Sequence, residues 1–419
     1  MRKPTGFGLA VMATASLAIA NGGSDNDKKK GEKPPEENGS PAVQAGGWSG
    51  GVGEGLTYTS TDFSVSLRNG IQVQLHYEDN DSPASDSAGF SVERARTILS
   101  GFAYNKSLRY ELQNEWNDSA SIQHAWIEYE LYNQQEYEMG VRVGQLKTRF
   151  GRDWSARFHE LEFVDRSLAT RTFSGTRTRG GFLYGTADNG KIGWSLAAHE
   201  SEVARAAVNA GEEGDPRPST GPNDDNDNEL NYNFEFHWRS DGSGIEGAQG
   251  NLESAGQPVY GFGSAYGIAN SQLAGPVDGE SHTLNVWVDA AAPGGLAING
   301  EFFHREESSD AAGAADASSN GWHIGMTWTS PKIQDMTQFG FGARFASVNI
   351  DDAQYLLTGG VLAGAANTEA KEFELAGNMF NHGHNVKTQL SLKWQGIEMP
   401  VGNTRTDNYL VALQTTFMF

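Results

Sequence analysis

Strict alternation of apolar and polar residues constrains this chain more than any other feature. From Phe63 to Glu78 the apolar residues Phe63, Val65, Leu67, Ile71, Val73, Leu75 and Tyr77 fall on odd positions. The even positions carry Ser64, Ser66, Arg68, Gln72, Gln74, His76 and Glu78. Successive side chains of a strand point to opposite faces, so the pattern specifies a strand with one apolar and one polar face. Asn69-Gly70 is a turn pair, yet the parity runs straight through it, which predicts one long strand. The same signature recurs in Leu108–Trp116, Tyr232–Arg239, Trp322–Trp328, Val386–Trp394 and Tyr409–Phe419.

Applied along the chain, the rule predicts about sixteen strands: 62–78, 90–103, 107–116, 122–132, 137–146, 177–187, 191–199, 230–239, 258–268, 282–291, 296–306, 320–330, 337–349, 371–380, 385–394 and 407–419. Most are about ten residues long, enough for a tilted strand to cross a bilayer. Connections mostly alternate between short (105–106, 133–136, 188–190, 292–295, 381–384) and long (147–176, 200–229, 307–319, 350–370). The stretch 240–257 is the exception, since its place in the series calls for a short turn. Short turns on one side and long loops on the other characterise outer-membrane barrels. A secreted sandwich also alternates, but here the polar face carries charge on nearly every strand. Trp116, Trp238, Trp328 and Trp394 sit at strand ends, as interfacial girdles do. The closing "NYLVALQTTFMF" ends on Phe419 and resembles the assembly signal of bacterial outer-membrane proteins. The expected fold is an all-β transmembrane antiparallel barrel with a long folded-in constriction loop.

Three regions follow. Arg2 and Lys3, the apolar run Phe7–Ala20 and the Ala18-Ile19-Ala20 pattern predict a signal peptide over 1–20. Residues 21–55 are polar, charged and rich in Pro and Gly, which predicts a disordered periplasmic linker. The barrel is expected over 56–419. Cysteine is absent, which excludes a disulfide framework and suits passage through an oxidising compartment.

The chain has 31 Lys and Arg against 53 Asp and Glu, a formal charge of −22. Against that balance, "QLKTRFGRDWSAR" (145–157) holds four basic groups and one acid. From Lys147 to Arg179 eight basic residues face four acids, whereas 200–229 carries nine acids against Arg205 and Arg217. Loop 147–176 also contains Phe150, Trp154, Phe158, Phe163 and Phe173, which predicts packing against an inner wall. By parity the lumen wall is mixed, with Arg68, Arg109, Arg142, Arg239, Arg305, Arg344, Lys387 and Lys393 among acids such as Glu111, Glu128, Asp289, Glu301, Glu372 and Glu374. Selectivity is therefore expected to depend on the loop that narrows the bore. Pairing with wall acids is the competing role for each loop arginine.

"VERARTILSG" (92–101), "VGQLKTRFG" (143–151), "VDRSL" (164–168) and the closing strand resemble the phosphate-selective porins O and P of Gram-negative outer membranes. The resemblance runs from about residue 54 to 419. It implies a trimeric sixteen-stranded barrel, integral to the outer membrane amid lipid and lipopolysaccharide, that passes phosphate-like anions without catalysis or cofactor. It places family arginines at Arg94 and Arg166, while Glu93-Arg94 stands where the family often has paired arginines. A wall arginine of the family falls at Gly70, with Arg68 two residues away on the same face. A loop lysine of the phosphate-binding members falls at Trp154, with Arg149, Arg152 or Arg157 as substitutes. The expected anion pathway is thus Lys147, Arg149, Arg152, Arg157, Arg166, Arg68, Arg94 and Arg96. The alternative is a structural or adhesive barrel with a plugged or cation-preferring pore.

Other chemistry finds little support. His159-Glu160 has no second His at helical spacing, and neither G-x-S-x-G nor a phosphate-cradling loop occurs. "GPNDDNDNE" (221–229) offers Asp224, Asp225, Asp227 and Glu229 as Ca²⁺ ligands. It lacks the glycine at the sixth loop position, which favours a solvated acidic loop.

Overall fold

The computed structural model describes residues 46–80, 86–117, 121–134, 136–174, 177–200, 230–252, 257–273, 277–309, 316–333, 337–350, 368–399 and 404–419. The expected signal peptide, most of the expected linker and the proposed Ca²⁺ ligands Asp224, Asp225, Asp227 and Glu229 lie outside these residues.

Among the described residues, eighteen strands form one antiparallel sheet. They are β1 (Gly47–Gly51), β2 (Gly55–Thr59), β3 (Phe63–Asn80), β4 (Ser87–Ala103), β5 (Asn105–Glu115), β6 (Ser121–Gln134), β7 (Tyr137–Lys147), β8 (Arg177–Ala187) and β9 (Ile192–Glu200). The second half comprises β10 (Leu230–Arg239), β11 (Val259–Leu273), β12 (Val277–Ala291), β13 (Leu296–Ser309), β14 (Ala317–Thr329), β15 (Gln338–Ile350), β16 (Thr368–His382), β17 (Val386–Met399) and β18 (Thr404–Met418). Each strand from β3 onward pairs with its successor, and β18 pairs back onto β3 from Met418↔Gly70 to Asn408↔Asn80. The sixteen strands β3–β18 therefore close a barrel, as the alternation predicts. Closure removes the unpaired edges that an open sheet would expose.

The parity assignment holds. Phe63, Leu67, Ile71, Val73, Leu75 and Tyr77 of β3 are exposed on the outer face, whereas Gln72 is buried inside. In β14, Trp322, Ile324, Met326 and Trp328 face outward while His323 and Thr327 are buried inside. Asn69-Gly70 does not turn. Asn69 and Phe419 exchange backbone hydrogen bonds of 2.7 and 2.9 Å, so the last residue of the chain is tied to the middle of the first barrel strand.

Two features depart from the expectation. The stretch read as linker to residue 55 contains β1, which pairs with β2 as a hairpin, and β2 pairs with β3 over Leu56–Thr59. β2 thus takes up β3 below the point where β18 stops. The ring centroids of Trp48 and Tyr58 lie 5.1 Å apart across the hairpin. "GWSGG" and "GLTYT" are too short and glycine-rich for alternation to reveal them. The second departure is the over-long turn 240–257, which belongs to the short-turn rim. Its Ile245, Gln249 and Asn251 are buried; the first two bond to the folded-in loop, and Asn251 donates to the Ala292 carbonyl of the neighbouring turn at 2.7 Å.

Candidate functional site

Loop residues 148–174 fold into the bore and dock on one side of it. Phe150, Trp154, Leu168, Ala169 and Phe173 form a buried cluster with Ala265, Phe303, Ala346, Val348, Ile350 and Ala370 of the inner wall. Phe173 stacks on Phe303 with centroids 5.8 Å apart. The inner wall of this half makes room for the loop. A Cβ on Gly321 would lie 2.5 Å from the Phe173 ring, and one on Gly342 or Gly267 would lie 3.1 Å from Phe163 or Phe150. Phe150, Trp154 and Phe173 are thus an internal hydrophobic anchor on this side, while Phe158 packs separately with Ile98 and Met418; this burial offsets the entropy of ordering so long a loop.

Polar ties fix the register of this docking. The loop contains α1 (Arg152–Ser155), a 3₁₀ turn (Phe158–Glu160) and α2 (Leu168–Phe173). Ser167 caps α2 by accepting from the Thr170 amide at 3.0 Å. Glu372 of β16 accepts from the Leu168 amide at 3.1 Å and from Arg171 at 2.6 Å. Glu301 of β13 accepts from the Asp153 amide. Asp153 in turn accepts from the Ser167 amide and from Gln249. Burial disfavours the Asp153 carboxylate, but His323, Arg344 and Arg166 outweigh it and hold the group well below the usual carboxylate range.

The turn 240–257 rises from the opposite rim and clamps the loop. Arg152 donates from Nε to Asp289 at 3.1 Å, from Nη1 to the Ile245 and Gly247 carbonyls at 3.1 and 2.6 Å, and from Nη2 to the Ala248 carbonyl at 2.9 Å. The Gln249 amide donates to the Glu160 carbonyl at 3.2 Å, and its side chain accepts from the Glu162 amide at 3.1 Å. Arg149 donates from Nε and Nη2 to Oε1 of Glu246 at 3.1 and 2.9 Å.

Because the loop is anchored to β11–β16, the open space lies against the other half of the wall. A cavity of about 110 Å³ runs between the loop and β3–β9. The wall contributes Arg68, Arg96, Arg142, Lys147 and Arg177, and the loop contributes Arg149 and Arg157. The acids on this surface are Glu111 and Glu246, among the described residues. Arg142 is held over the Trp126 ring at 3.6 Å and by Glu128 at 2.7 Å, and Arg96 lies over the Phe158 ring at 4.6 Å and pairs with Glu115. Such stacking and pairing hold both guanidinium groups in place. Arg68 has no hydrogen bond or ion pair with the described residues, and its charged neighbours are Arg157, Glu111 and Glu160. Among the described residues, Arg157 has only a long contact, 3.5 Å to Glu160.

Residues 63–254 match the family described as phosphate-selective porin O and P. Over that stretch the chain is similar to this porin family. Among solved structures it is similar to an anion-selective porin from Comamonas acidovorans, at 10% identity and a TM-score of 0.53, covering 85% of this chain and 100% of that one. It is also similar to the outer membrane channel DcaP of Acinetobacter baumannii, at 10% identity and a TM-score of 0.55, covering 85% and 98% of the two chains. Pseudomonas putida OprB aligns at 11% identity with a TM-score of 0.52, over 85% and 94%. At these identities the likeness is one of fold. No curated protein matches the chain. The porin is integral to the outer membrane.

Of the eight pathway residues expected from the porin's sequence, Lys147, Arg149, Arg157, Arg68 and Arg96 line the cavity. Arg152, Arg166 and Arg94 do not line it. Arg152 is the clamp described above. Arg166 is 1% exposed and donates to the carbonyls of Asp153 at 3.1 Å and Ala156 at 2.7 Å, closing the loop on itself. Arg94 donates to Gln72 at 3.1 Å beneath Phe158. Trp154 is buried, with its indole N–H on the Thr148 carbonyl at 3.0 Å, and lies between Lys147 and Arg166. It stands behind the cavity surface. Gly70 has no room for an arginine, since a Cβ there meets Met418 Sδ at 2.5 Å and the Phe158 ring at 3.0 Å. Arg142, Arg177 and Glu246 were missed as site residues. The length of 240–257 was the one signal pointing towards Glu246.

Proposed function

We propose that this porin is a diffusion channel for small anions, which pass along the basic cavity between the folded-in loop and β3–β9. The observation that carries this reading is the lining: seven cationic side chains against two carboxylates, in a chain of charge −22. A low-dielectric passage of one sign concentrates the opposite ion and replaces part of its hydration shell. Arg68 and Arg157 are the groups least committed to the protein, so they make the most direct contacts. Lys147, Arg149 and Arg96 set the surrounding potential. Guanidinium groups pair with the oxygens of phosphate as readily as with a carboxylate, so phosphate belongs to the accepted class. The description of the Comamonas acidovorans neighbour as anion-selective supports the same sign. Outer-membrane lipid and lipopolysaccharide cover the apolar outer face in this reading, and the homotrimer implied by the family is the assembly to look for by crosslinking.

Planar-bilayer recording in a KCl gradient tests the proposal. The reversal potential favours chloride in the native protein, and the double variant R68Q/R157Q moves it several-fold towards potassium. A cation-selective native channel, or a native barrel without conductance, overturns the reading in favour of a structural or adhesive barrel.

A further inference from the structure

Glu246 stands out among the residues lining the cavity. It comes from the short-turn rim, on a turn far longer than its place in the barrel requires, and it brings a carboxylate into a basic passage. Its Oε1 accepts both donors of Arg149, at 3.1 and 2.9 Å. Its other oxygen accepts no hydrogen bond among the described residues, and the side chain remains 31% exposed on the cavity surface. Burial works against its charge, but Arg149, Arg142 and Arg157 outweigh that and hold its pKa at about 2. Turn and loop are fixed to each other next to it by the Arg152 and Gln249 bonds, so this carboxylate is held in place. A carboxylate and a transported oxyanion present the same chemistry to a guanidinium.

We infer that Glu246 is a tethered counter-anion. It occupies the arginine-rich subsite in the resting channel and competes with the passing anion for Arg149 and its neighbours. The inference rests on the anion-channel reading above and adds a residue that sets its affinity. Conduction requires binding strong enough to admit an ion and weak enough to release it. A permanently present carboxylate lowers the apparent affinity of the subsite and speeds release. Removing one like charge a few ångströms from the bound anion strengthens binding by about tenfold after solvent and salt screening.

The test uses the full chain reconstituted in planar bilayers, with inorganic phosphate and chloride as probes. In E246Q the concentration at which the phosphate current saturates falls about tenfold, and the chloride-to-potassium permeability ratio rises. E246D retains the charge and stays near the native values. Two results overturn the inference. One is an unchanged saturation point in E246Q. The other is an equal rise of chloride and potassium currents, which means that the substitution merely loosened the turn. Either result, in a native channel that still favours chloride, leaves the anion-channel reading intact. A native channel that favours potassium removes both.

Discussion

Arg152→Met separates the clamp from the pathway. Sequence reading places Arg152 among the anion contacts, whereas the structure buries it behind the loop with a side chain that is 4% exposed. It makes four hydrogen bonds, three of them to carbonyls of the turn 240–257 and one to Asp289. Hydrogen bonds from a charged donor contribute about 1.5–3 kcal/mol each, and breaking a buried charge pair costs about 3–5 kcal/mol. The sum of four bonds overstates the loss. Asp289 keeps Arg239 as a partner, and Ala248 is exposed, so water reaches part of the vacated site. The lower end of the pair estimate, about 3 kcal/mol, is the appropriate figure for the clamp. That is roughly two orders of magnitude in the equilibrium between a docked and a released turn. Methionine keeps most of the volume, and the sixteen-strand ladder does not depend on this residue. The expected variant folds into the membrane normally. Limited proteolysis within 240–252 becomes faster by a large factor, single-channel current becomes noisier, and chloride preference changes little. A turn that stays fully protected in R152M refutes the clamp. A collapse of chloride preference with the turn still protected refutes the placement of Arg152 outside the pathway.

Two further outcomes follow from the same geometry. Trp154→Lys does not create phosphate affinity, because position 154 is buried between Lys147 and Arg166, and removing the indole destabilises the loop by about 3 kcal/mol; tighter phosphate saturation in W154K contradicts the buried placement. For pH, Glu246 has its pKa depressed from 4.5 to about 2, with burial opposed by Arg149, Arg142 and Arg157. A depressed carboxylate stabilises the turn–loop contact above its ordinary value of 4.5 and loses that stabilisation as pH falls through about 2. Protection of the turn from an acid-active protease therefore stays constant from neutrality to about pH 5, then declines progressively down to about pH 2; protection that does not change between about pH 5 and pH 2 means that the arginines do not hold this carboxylate.

The strands were legible because a barrel in lipid forces each residue to face either lipid or lumen, and that choice is written with period two. β3 shows the strength of the rule: the turn pair Asn69-Gly70 lies inside it, and parity alone identified a single strand. The docking of the loop was legible for a different reason, since five aromatics in a water-exposed loop have no stable environment. The orientation of individual loop arginines was not legible. Parity does not extend into a loop, and Arg149 and Arg152 differ in sequence only by three positions. One borders the cavity while the other is locked among backbone carbonyls. The over-long turn was visible as a break in the alternation of connection lengths. Its length alone carries no direction, and the inward fold depends on partners such as Asp153 and Glu160 that are far away in sequence.

The distribution of acids explains how an acidic chain presents a basic passage. Glu301, Glu372 and Asp289 lie on β12, β13 and β16, where they hold the loop through the Asp153 amide, Arg171 and Arg152. Glu374 holds Arg344, which in turn donates to the Asp165 carbonyl at 2.9 Å. Asp289, Glu372 and Glu374 are paired with arginines where they stand, and Glu301 is buried against the Asp153 amide, so they add little to the field in the opening. Each also pins the loop to the far wall and leaves Arg157 facing Arg68 across the space that remains. Net charge is therefore a poor guide to selectivity in this barrel. In the proposed anion channel, an acid on β16 favours anions by fixing the loop, whereas an acid at the cavity surface, as at Glu246, opposes them.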